Sequence, residues 1–187
     1  DYGGGAYLNA GGTLRNCLIV GNETTRAPTF GGGGGVLTSG SGGLIENCTI
    51  ARNTAKRGGG VYATTTGLTL RNTIVHGNRA PTLPAIFGTP TITYCCVTPL
   101  PTGTGNTAAD PIFADPGSGD FRLLPGSAAM NSGADQSWMG SAIDLDGRPR
   151  TNGVVDMGCY EYAPGALDCG FVVAPATAFT GMPVVLS

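Results

Sequence analysis

Residues 58–78 read GGGVYATTTGLTLRNTIVHGN, and this stretch decides the fold because the chain repeats it. The stretch begins with a glycine run and a short apolar segment. It ends with a segment from Asn72 to Asn78 that we call the kernel, which starts and finishes with asparagine. Earlier copies occupy residues 3–22 and 33–53, and a degenerate fourth copy covers residues 92–97. A short unit repeated in register predicts a solenoid.

The repeated unit favours strands over helices. Its kernel asparagines Asn16, Asn47 and Asn72 are 31 and 25 residues apart, so the loops vary while the kernel is kept. Apolar residues alternate over short runs rich in Val, Ile, Thr and Tyr, without sustained helical spacing. We therefore expect an all-β parallel β-helix, in which equivalent residues of successive coils stack roughly 4.8 Å apart.

Two inward columns follow from this alignment, and each buried aliphatic side chain contributes about 1.5–3 kcal/mol. The first column contains Leu14, Ile45, Leu70 and Ile92, and the second contains Ile19, Ile50, Val75 and Val97. The residues beside the first column are expected to face solvent; these are Arg15, Glu46, Arg71 and Thr93.

The kernel asparagines Asn16, Asn47 and Asn72 lie between the two columns, where the strict alternation breaks. Asparagine tolerates the left-handed backbone that such a bend requires. We predict that the three side chains also form a structural ladder, with amides hydrogen-bonded from coil to coil. A row of asparagines that binds sugar or metal is the alternative interpretation.

Composition limits the functional classes. The chain has 187 residues, of which 41% are hydrophobic and 12% charged, with a net charge of −2 and Lys56 as its single lysine. Scattered arginines form no basic stripe, which argues against nucleic acid as a partner. No apolar run approaches the roughly 20 residues of a membrane-spanning helix, so we expect no membrane insertion.

The sequence divides into three parts. Residues 1–109 are predicted to form the repeat coils, and residues 110–166 a C-terminal β-helix or capping segment of the same domain. Residues 167–187 are read as a linker with an extended terminal strand, either the start of a further β module or a strand donated to a neighbour. Because Asp1 opens directly onto a repeat, we expect the natural protein to extend upstream.

The six cysteines have different expected roles. Cys17, Cys48 and Cys95 occupy one repeat position, where a buried thiol acts as a small hydrophobic group, and we favour free thiols over a Cys17–Cys48 disulfide. Cys159 and Cys169 are the better disulfide candidate, since they would close a short loop. No cysteine or histidine spacing supports zinc.

Downstream of the repeats, the chain reads DPIF at 110–113, GDFRL at 119–123, PGSAAMN at 125–131, DLDGRPR at 144–150 and VDMGCYEY at 155–162. With the GGGVY and NCTI repeats, this series resembles the right-handed parallel β-helix proteins of the pectin-lyase-like superfamily. More narrowly, it is similar to large bacterial surface proteins of the choice-of-anchor Q domain type. The resemblance implies a right-handed coil and an exported, extracellular or cell-surface protein of generally unassigned activity. It also implies an immunoglobulin-like or PKD-like module after Cys169.

A catalytic site is not expected. Lyases and hydrolases of this superfamily need converging carboxylates, but residues 2–99 contain no aspartate and only Glu23 and Glu46. His76, the single histidine, is expected to be an exposed loop residue.

A cluster of acids follows the repeats, and the spacing of Asp144, Asp146 and Asp156 suits a structural calcium ion, the single cofactor we consider. The alternative is that Asp144 and Asp146 stabilise a turn and pair with Arg148 or Arg150.

We expect, from these features, a non-enzymatic structural or adhesive module of a bacterial surface protein, able to associate end to end or by strand donation into filaments. The alternative is a carbohydrate-binding or polysaccharide-degrading domain with a polysaccharide partner. Binding would need exposed aromatics in one row, and Tyr7, Tyr62 and Tyr94 are candidates that do not share one repeat position.

Overall fold

Four successive coils build the repeat region, and each contributes three short strands. The computed structural model describes residues 4–25, 32–64, 66–150 and 153–164. The first coil contains β1 Ala6–Asn9, β2 Thr13–Arg15 and β3 Leu18–Val20, and the second contains β4 Val36–Ser39, β5 Leu44–Glu46 and β6 Thr49–Ala51. The third contains β7 Val61–Ala63, β8 Thr69–Arg71 and β9 Ile74–His76, and the fourth contains β10 Ile86–Phe87, β11 Thr91–Thr93 and β12 Cys96–Val97.

Equivalent strands of the four coils pair in parallel and form three sheets. Sheet A is ordered β1-β4-β7-β10, sheet B β2-β5-β8-β11, and sheet C β3-β6-β9-β12. Every pair within these sheets is parallel. The predicted all-β parallel β-helix is therefore confirmed. Across the described ranges, no helix combines the length and apolarity needed to cross a bilayer.

Both predicted inward columns are confirmed by the strand register. Ile45 pairs with Leu14 on one side and Leu70 on the other, and Ile50 pairs with Ile19 and Val75 in the same way. The two columns belong to one buried cluster inside the solenoid. Burial of stacked aliphatic side chains is the main stabilising term of the coils.

A left-handed corner joins sheet B to sheet C in every coil, as predicted. The φ angles are +53° at Asn16, +48° at Asn47 and +49° at Asn72, and Tyr94 takes the same position in the fourth coil with +51°. One left-handed residue turns the chain between two inward positions without an extra loop. Asparagine is enriched in this conformation because its short polar side chain tolerates it.

A short extra rung closes the fourth coil. Tyr94 N–H donates to Thr104 O at 2.8 Å, and Thr107 N–H donates to Cys95 O at 2.9 Å. Gly105 occupies the corner position with φ +71°, and a Cβ there would lie 2.4 Å from the Tyr94 ring. Only glycine fits under that ring without displacing it.

The chain then runs along the outside of the coils, and we call residues 110–164 the return segment. It contains an antiparallel hairpin, β13 Phe113–Asp115 and β14 Asp120–Leu123, and a 3-10 helix, Ser137–Ser141. A second apolar cluster joins its Phe121 and Met157 to Ala51 and Ile74 on the outer face of sheet C. Both faces of sheet C are therefore covered, as is usual for parallel sheets.

Candidate functional site

The kernel asparagines point outward and hold the return segment. Asn47 Nδ2 donates to the carbonyl oxygen of Asp156 at 3.3 Å. Asn72 uses both ends of its amide, since Nδ2 donates to Ala134 O at 2.9 Å and Oδ1 accepts from Ala134 N–H at 2.8 Å. The Asn72 carbonyl also accepts from Gly158 N–H at 2.8 Å. The left-handed corner thus positions a set of amides for the segment.

The first coil is held in the same way. Asn16 Nδ2 donates to the carbonyl of Ile143 at 3.0 Å. One residue earlier, the Arg15 guanidinium lies over the ring of Trp138 at 4.2 Å, a cation–π contact with the 3-10 helix. The segment therefore reaches every coil that carries a kernel asparagine.

The amide contacts between coils are distributed differently from the predicted ladder. Within the predicted set, Asn72 Nδ2 lies 3.3 Å from Asn47 Oδ1, and the other amide bonds go to the return segment. A ladder at the closing asparagines escaped the sequence analysis: Asn53 Oδ1 accepts from Asn22 Nδ2 at 2.9 Å, and Asn78 Oδ1 from Asn53 Nδ2 at 3.0 Å. The same spacing of 31 and 25 residues would have revealed it.

The expectation that Glu46 faces solvent is wrong. Glu46 is fully buried, and its carboxylate accepts from Arg15 Nε at 2.9 Å and Arg71 Nε at 2.7 Å. The two arginines come from the coils on either side, so the three side chains alternate in charge along the stack. A buried carboxylate is tolerated here because both oxygens are paired.

The return segment contains a buried polar group that we call the acid cluster, formed by Asp144, Asp156, Glu161 and Arg150. All four residues are buried, with at most 7% of their surface exposed. Arg150 Nη1 donates to Glu161 Oε1 at 2.6 Å, and Glu161 Oε2 accepts from Asp156 N–H at 3.2 Å. Beside these groups lies a cavity of about 150 Å³, lined by Asn131, Arg148, Pro149, Asp156, Glu161, Tyr162 and Ala163.

Burial raises the pKa of two carboxyl groups in the acid cluster, Glu161 and Asp156. Loss of solvent is the main cause that raises the pKa of Glu161 to about 8, and the charge of Asp156 adds to it against the attraction of Arg150. Burial likewise raises the pKa of Asp156, opposed by hydrogen bonds from Tyr162 and Asn131 N–H. Raised carboxyl pKa values in a small cavity are a known property of catalytic acids, and also of buried structural pairs.

The three predicted calcium ligands have protein partners. Asp146 pairs with Arg122 at 2.7 Å, while Asp144 Oδ1 accepts from Arg148 N–H and from Asp146 N–H, each at 2.8 Å. Asp156 Oδ1 accepts from Asn131 N–H at 2.6 Å. Within the part of the chain that the structure describes, no three acidic, histidine or cysteine side chains are grouped to hold a metal. Calcium at this position stays a prediction.

His76 differs from its expected loop position. It ends strand β9 and is half-buried, and its ring meets Phe113 edge to face at 5.9 Å between centroids. Phe113 belongs to β13, so His76 is part of the contact between sheet C and the return segment.

The five described cysteines are free thiols: Cys17, Cys48, Cys95, Cys96 and Cys159. Cys17, Cys48 and Cys95 lie in the inner cluster. Cys159 is buried in the return segment. Cys169 lies outside the described residues, so its pairing with Cys159 stays a prediction, as do the roles assigned to residues 167–187.

Tyr7 and Tyr62 share one position on sheet A, whereas Tyr94 lies at a corner, so the three candidate tyrosines do not form one row, as expected. Tyr7 pairs in register with Leu37, Leu37 with Tyr62, and Tyr62 with Phe87. The rings of Tyr62 and Phe87 stack with centroids 4.5 Å apart, and the Arg57 guanidinium lies 5.7 Å from the Phe87 centroid. We call Tyr7, Tyr62 and Phe87 the aromatic column, which the buried Leu37 interrupts between the two tyrosines. The shared pattern of three glycines, one residue and tyrosine marks both tyrosines in the sequence.

Three stacked parallel sheets with strands in register define a parallel β-helix solenoid. The family model described as the right-handed β-helix region matches residues 1–108, more than half of the chain, and the chain belongs to this family. The match ends where the return segment begins, so the acid cluster lies beyond it. No curated protein and no solved structure matches the chain.

Asn72 forms the left-handed corner and also binds the return segment, and two substitutions distinguish these roles. We expect Asn72→Gly to lower the free energy of unfolding by about 1–3 kcal/mol, because the left-handed corner survives but both bonds to Ala134 are lost. Asn72→Ala should cost about 1 kcal/mol more, since alanine is strained at positive φ. Urea denaturation measures both free energies of unfolding.

The control is Asn131→Gly, which replaces a left-handed asparagine with an exposed side chain. Equal losses of stability for Asn72→Gly and Asn131→Gly would contradict the anchoring role of Asn72.

Stability should depend on pH through Glu161. Folding raises its pKa from 4.5 to about 8, so the folded chain binds this proton more tightly. The resulting stabilisation is complete below about pH 4.5 and is lost as the pH rises through about 8. Denaturation across this window should show a falling free energy of unfolding.

Glu161→Gln, which mimics the protonated acid, should flatten this slope. Asp156 adds a slope of the same sign, whereas the lowered pKa of Cys17 opposes it above about pH 6, so the comparison is made in a Cys17→Ser background. The exposed Glu23→Gln is the matched control. In that background, a profile that rises with pH over this window would overturn the assignment.

Proposed function

We propose that the chain is a rigid, non-catalytic β-helix module of a large bacterial surface protein, with a structural or adhesive role outside the cell. Membership of the right-handed β-helix family supports the solenoid. The resemblance of residues 3–162 to bacterial surface proteins supports the location. A surface rich in Thr, Ser, Asn and Gly, with 12% charged residues, suits an exported rod.

One observation carries the non-catalytic proposal: the carboxylates of the acid cluster are bound by the chain itself. Asp144 accepts three backbone N–H bonds, from Asp146, Arg148 and Glu161. Glu161 is bound by Arg150 and by the N–H of Asp156. A hydrolase needs two carboxyl groups facing a substrate across the scissile bond, whereas these oxygens face backbone N–H groups and a buried arginine.

The sheet edge at the fourth coil is poorly suited to the end-to-end association that a filament would need. Strand β10 has two residues and is followed closely by Pro90, with Pro84 just before it. Prolines and short strands block pairing at a sheet edge. End-to-end association through the fourth coil is therefore disfavoured, which favours a module that stands alone over a stacking subunit. Strand donation by residues 167–187 concerns the chain outside the described ranges.

The enzyme alternative is tested by prolonged incubation with a panel of neutral and acidic polysaccharides. We expect no new reducing ends and no unsaturated products above the buffer level, because the acid cluster serves the fold. Products that disappear in both Glu161→Gln and Asp156→Asn, with the variants still folded by circular dichroism, would replace the structural role with a polysaccharide-degrading one.

A second function is favoured by the aromatic column. Tyr62 and Phe87 form a parallel ring stack with an arginine beside it on an outward face. Aromatic surfaces flanked by polar groups are suited to the apolar faces of sugar rings. Weak polysaccharide binding along sheet A is compatible with an adhesive module.

Phe87→Ala tests this binding function. Affinity electrophoresis or calorimetry with neutral polysaccharides should show binding that weakens at least about tenfold, or 1.4 kcal/mol, in the variant. Tyr94→Ala, which removes an aromatic residue at the corner and outside the column, is the matched control. Equal binding by wild type and both variants would exclude the column as the site.

A further inference from the structure

We propose that Cys17 and Cys48 form a redox-reactive pair that closes a disulfide between the first two described coils. The inference rests on thiol geometry and goes beyond the proposed function. Both residues follow the left-handed asparagine of their coil, and both side chains belong to the inner cluster. Two coils that are otherwise joined by noncovalent contacts, including the Arg15–Glu46 ion pair and the Asn22–Asn53 bond, would gain one covalent link.

The register places the two residues directly above one another. Leu18 pairs with Thr49, and Thr49 N–H donates to Cys17 O at 2.9 Å. Adjacent parallel strands lie roughly 4.8 Å apart, within the Cα separation of about 4.4–6.8 Å that a disulfide accepts. The Cα separation of the two residues is therefore compatible with a disulfide.

The two thiols have the same orientation. Cys17 Sγ donates to Arg15 O and Cys48 Sγ to Glu46 O, each at 3.2 Å. The sulfurs therefore stack along the solenoid, close enough for each thiol to shift the pKa of the other. Closing a bond requires one side chain to rotate and both weak S–H bonds to carbonyls to be given up, a small loss against a covalent link.

The pair is chemically asymmetric, as attacking and resolving thiols are. Cys17 is half-buried, whereas Cys48 is fully buried. The hydrogen bond from Cys48 lowers the pKa of Cys17 to about 6, and the same bond raises the pKa of Cys48. The thiolate is the nucleophile in thiol–disulfide exchange, so Cys17 attacks first.

The other described thiols are placed differently. Thr73 separates Cys48 from Cys95 in the inner column, with Cys48 N–H donating to Thr73 Oγ1 and Thr73 N–H to Cys95 Sγ, each at 3.4 Å. Cys96 faces the opposite side of the sheet, in the cluster beneath the return segment. Burial raises the pKa of Cys95 to about 12 and that of Cys96 and Cys159 to about 11.

The reaction uses a small-molecule disulfide as oxidant. The Cys17 thiolate attacks one sulfur of that disulfide, forms a mixed disulfide and expels one thiolate. Cys48 then loses its proton and attacks Cys17 Sγ, which forms the Cys17–Cys48 bond and expels the second thiolate. Two cysteine thiols are oxidised, one small disulfide is reduced to two thiols, and no other reactant is needed.

Oxidised glutathione and the full chain test the proposal. After incubation at pH 7.5, blocking of remaining thiols and trypsin digestion, peptides 16–26 and 27–52 carry one of the two cysteines each. We expect these peptides to be joined by a bond that reductant cleaves. A chain in which Cys17 stays unmodified, or keeps glutathione without linking to Cys48, would overturn the proposal.

Variants separate the two steps. Cys48→Ser should stop at a stable glutathione adduct on Cys17, and Cys17→Ser should leave peptide 27–52 unmodified. Cys96→Ser, a buried thiol outside the pair, should form the link at the wild-type rate. Glutathione on Cys48 in the Cys17→Ser chain at the rate of wild-type linkage would show that Cys17 does not initiate the reaction and would contradict the proposal.

Discussion

The left-handed corner between sheets B and C is the constraint on which the rest of the structure depends. At Asn47 and Asn72, with φ of +48° and +49°, the chain turns between two inward positions and directs a side-chain amide outward. The same turn sends the following residue, Cys48 or Thr73, into the interior. One backbone conformation thus sets the inner columns and the outer contacts together.

The outer contacts explain why charge can be buried in a chain with few charged residues. Asp156 belongs to the acid cluster through its carboxylate and to the Asn47 anchor through its carbonyl. Arg150 and Glu46 are fully buried; Glu46 accepts from the guanidinium groups of Arg15 and Arg71, and Arg150 donates to the carboxyl group of Glu161. Such pairs tolerate burial only in a fixed geometry, so the coils and the return segment depend on one another.

The sequence predicted the features that repeat from coil to coil. It did not predict the contacts between segments that are far apart in the chain. Ile45 and Ile50 could be placed inside because stacking copies them from coil to coil, and the asparagine corner follows from intrinsic backbone preference. The burial of Glu46 depends on Arg15 and Arg71 of neighbouring coils. The partners of Asn47 and Asn72 lie 109 and 62 residues away, and single-chain spacing carries no signal for such contacts.

Native-state hydrogen exchange tests most directly whether the return segment and the coils form one unit. Gly158 N–H is bound to Asn72 O at 2.8 Å, and Ile74 N–H to Cys48 O at 2.9 Å between coils. If the segment is integral, both amides exchange through the same opening and share one dependence on denaturant. Exchange of Gly158 orders of magnitude faster than Ile74, with no dependence on denaturant, would contradict the account.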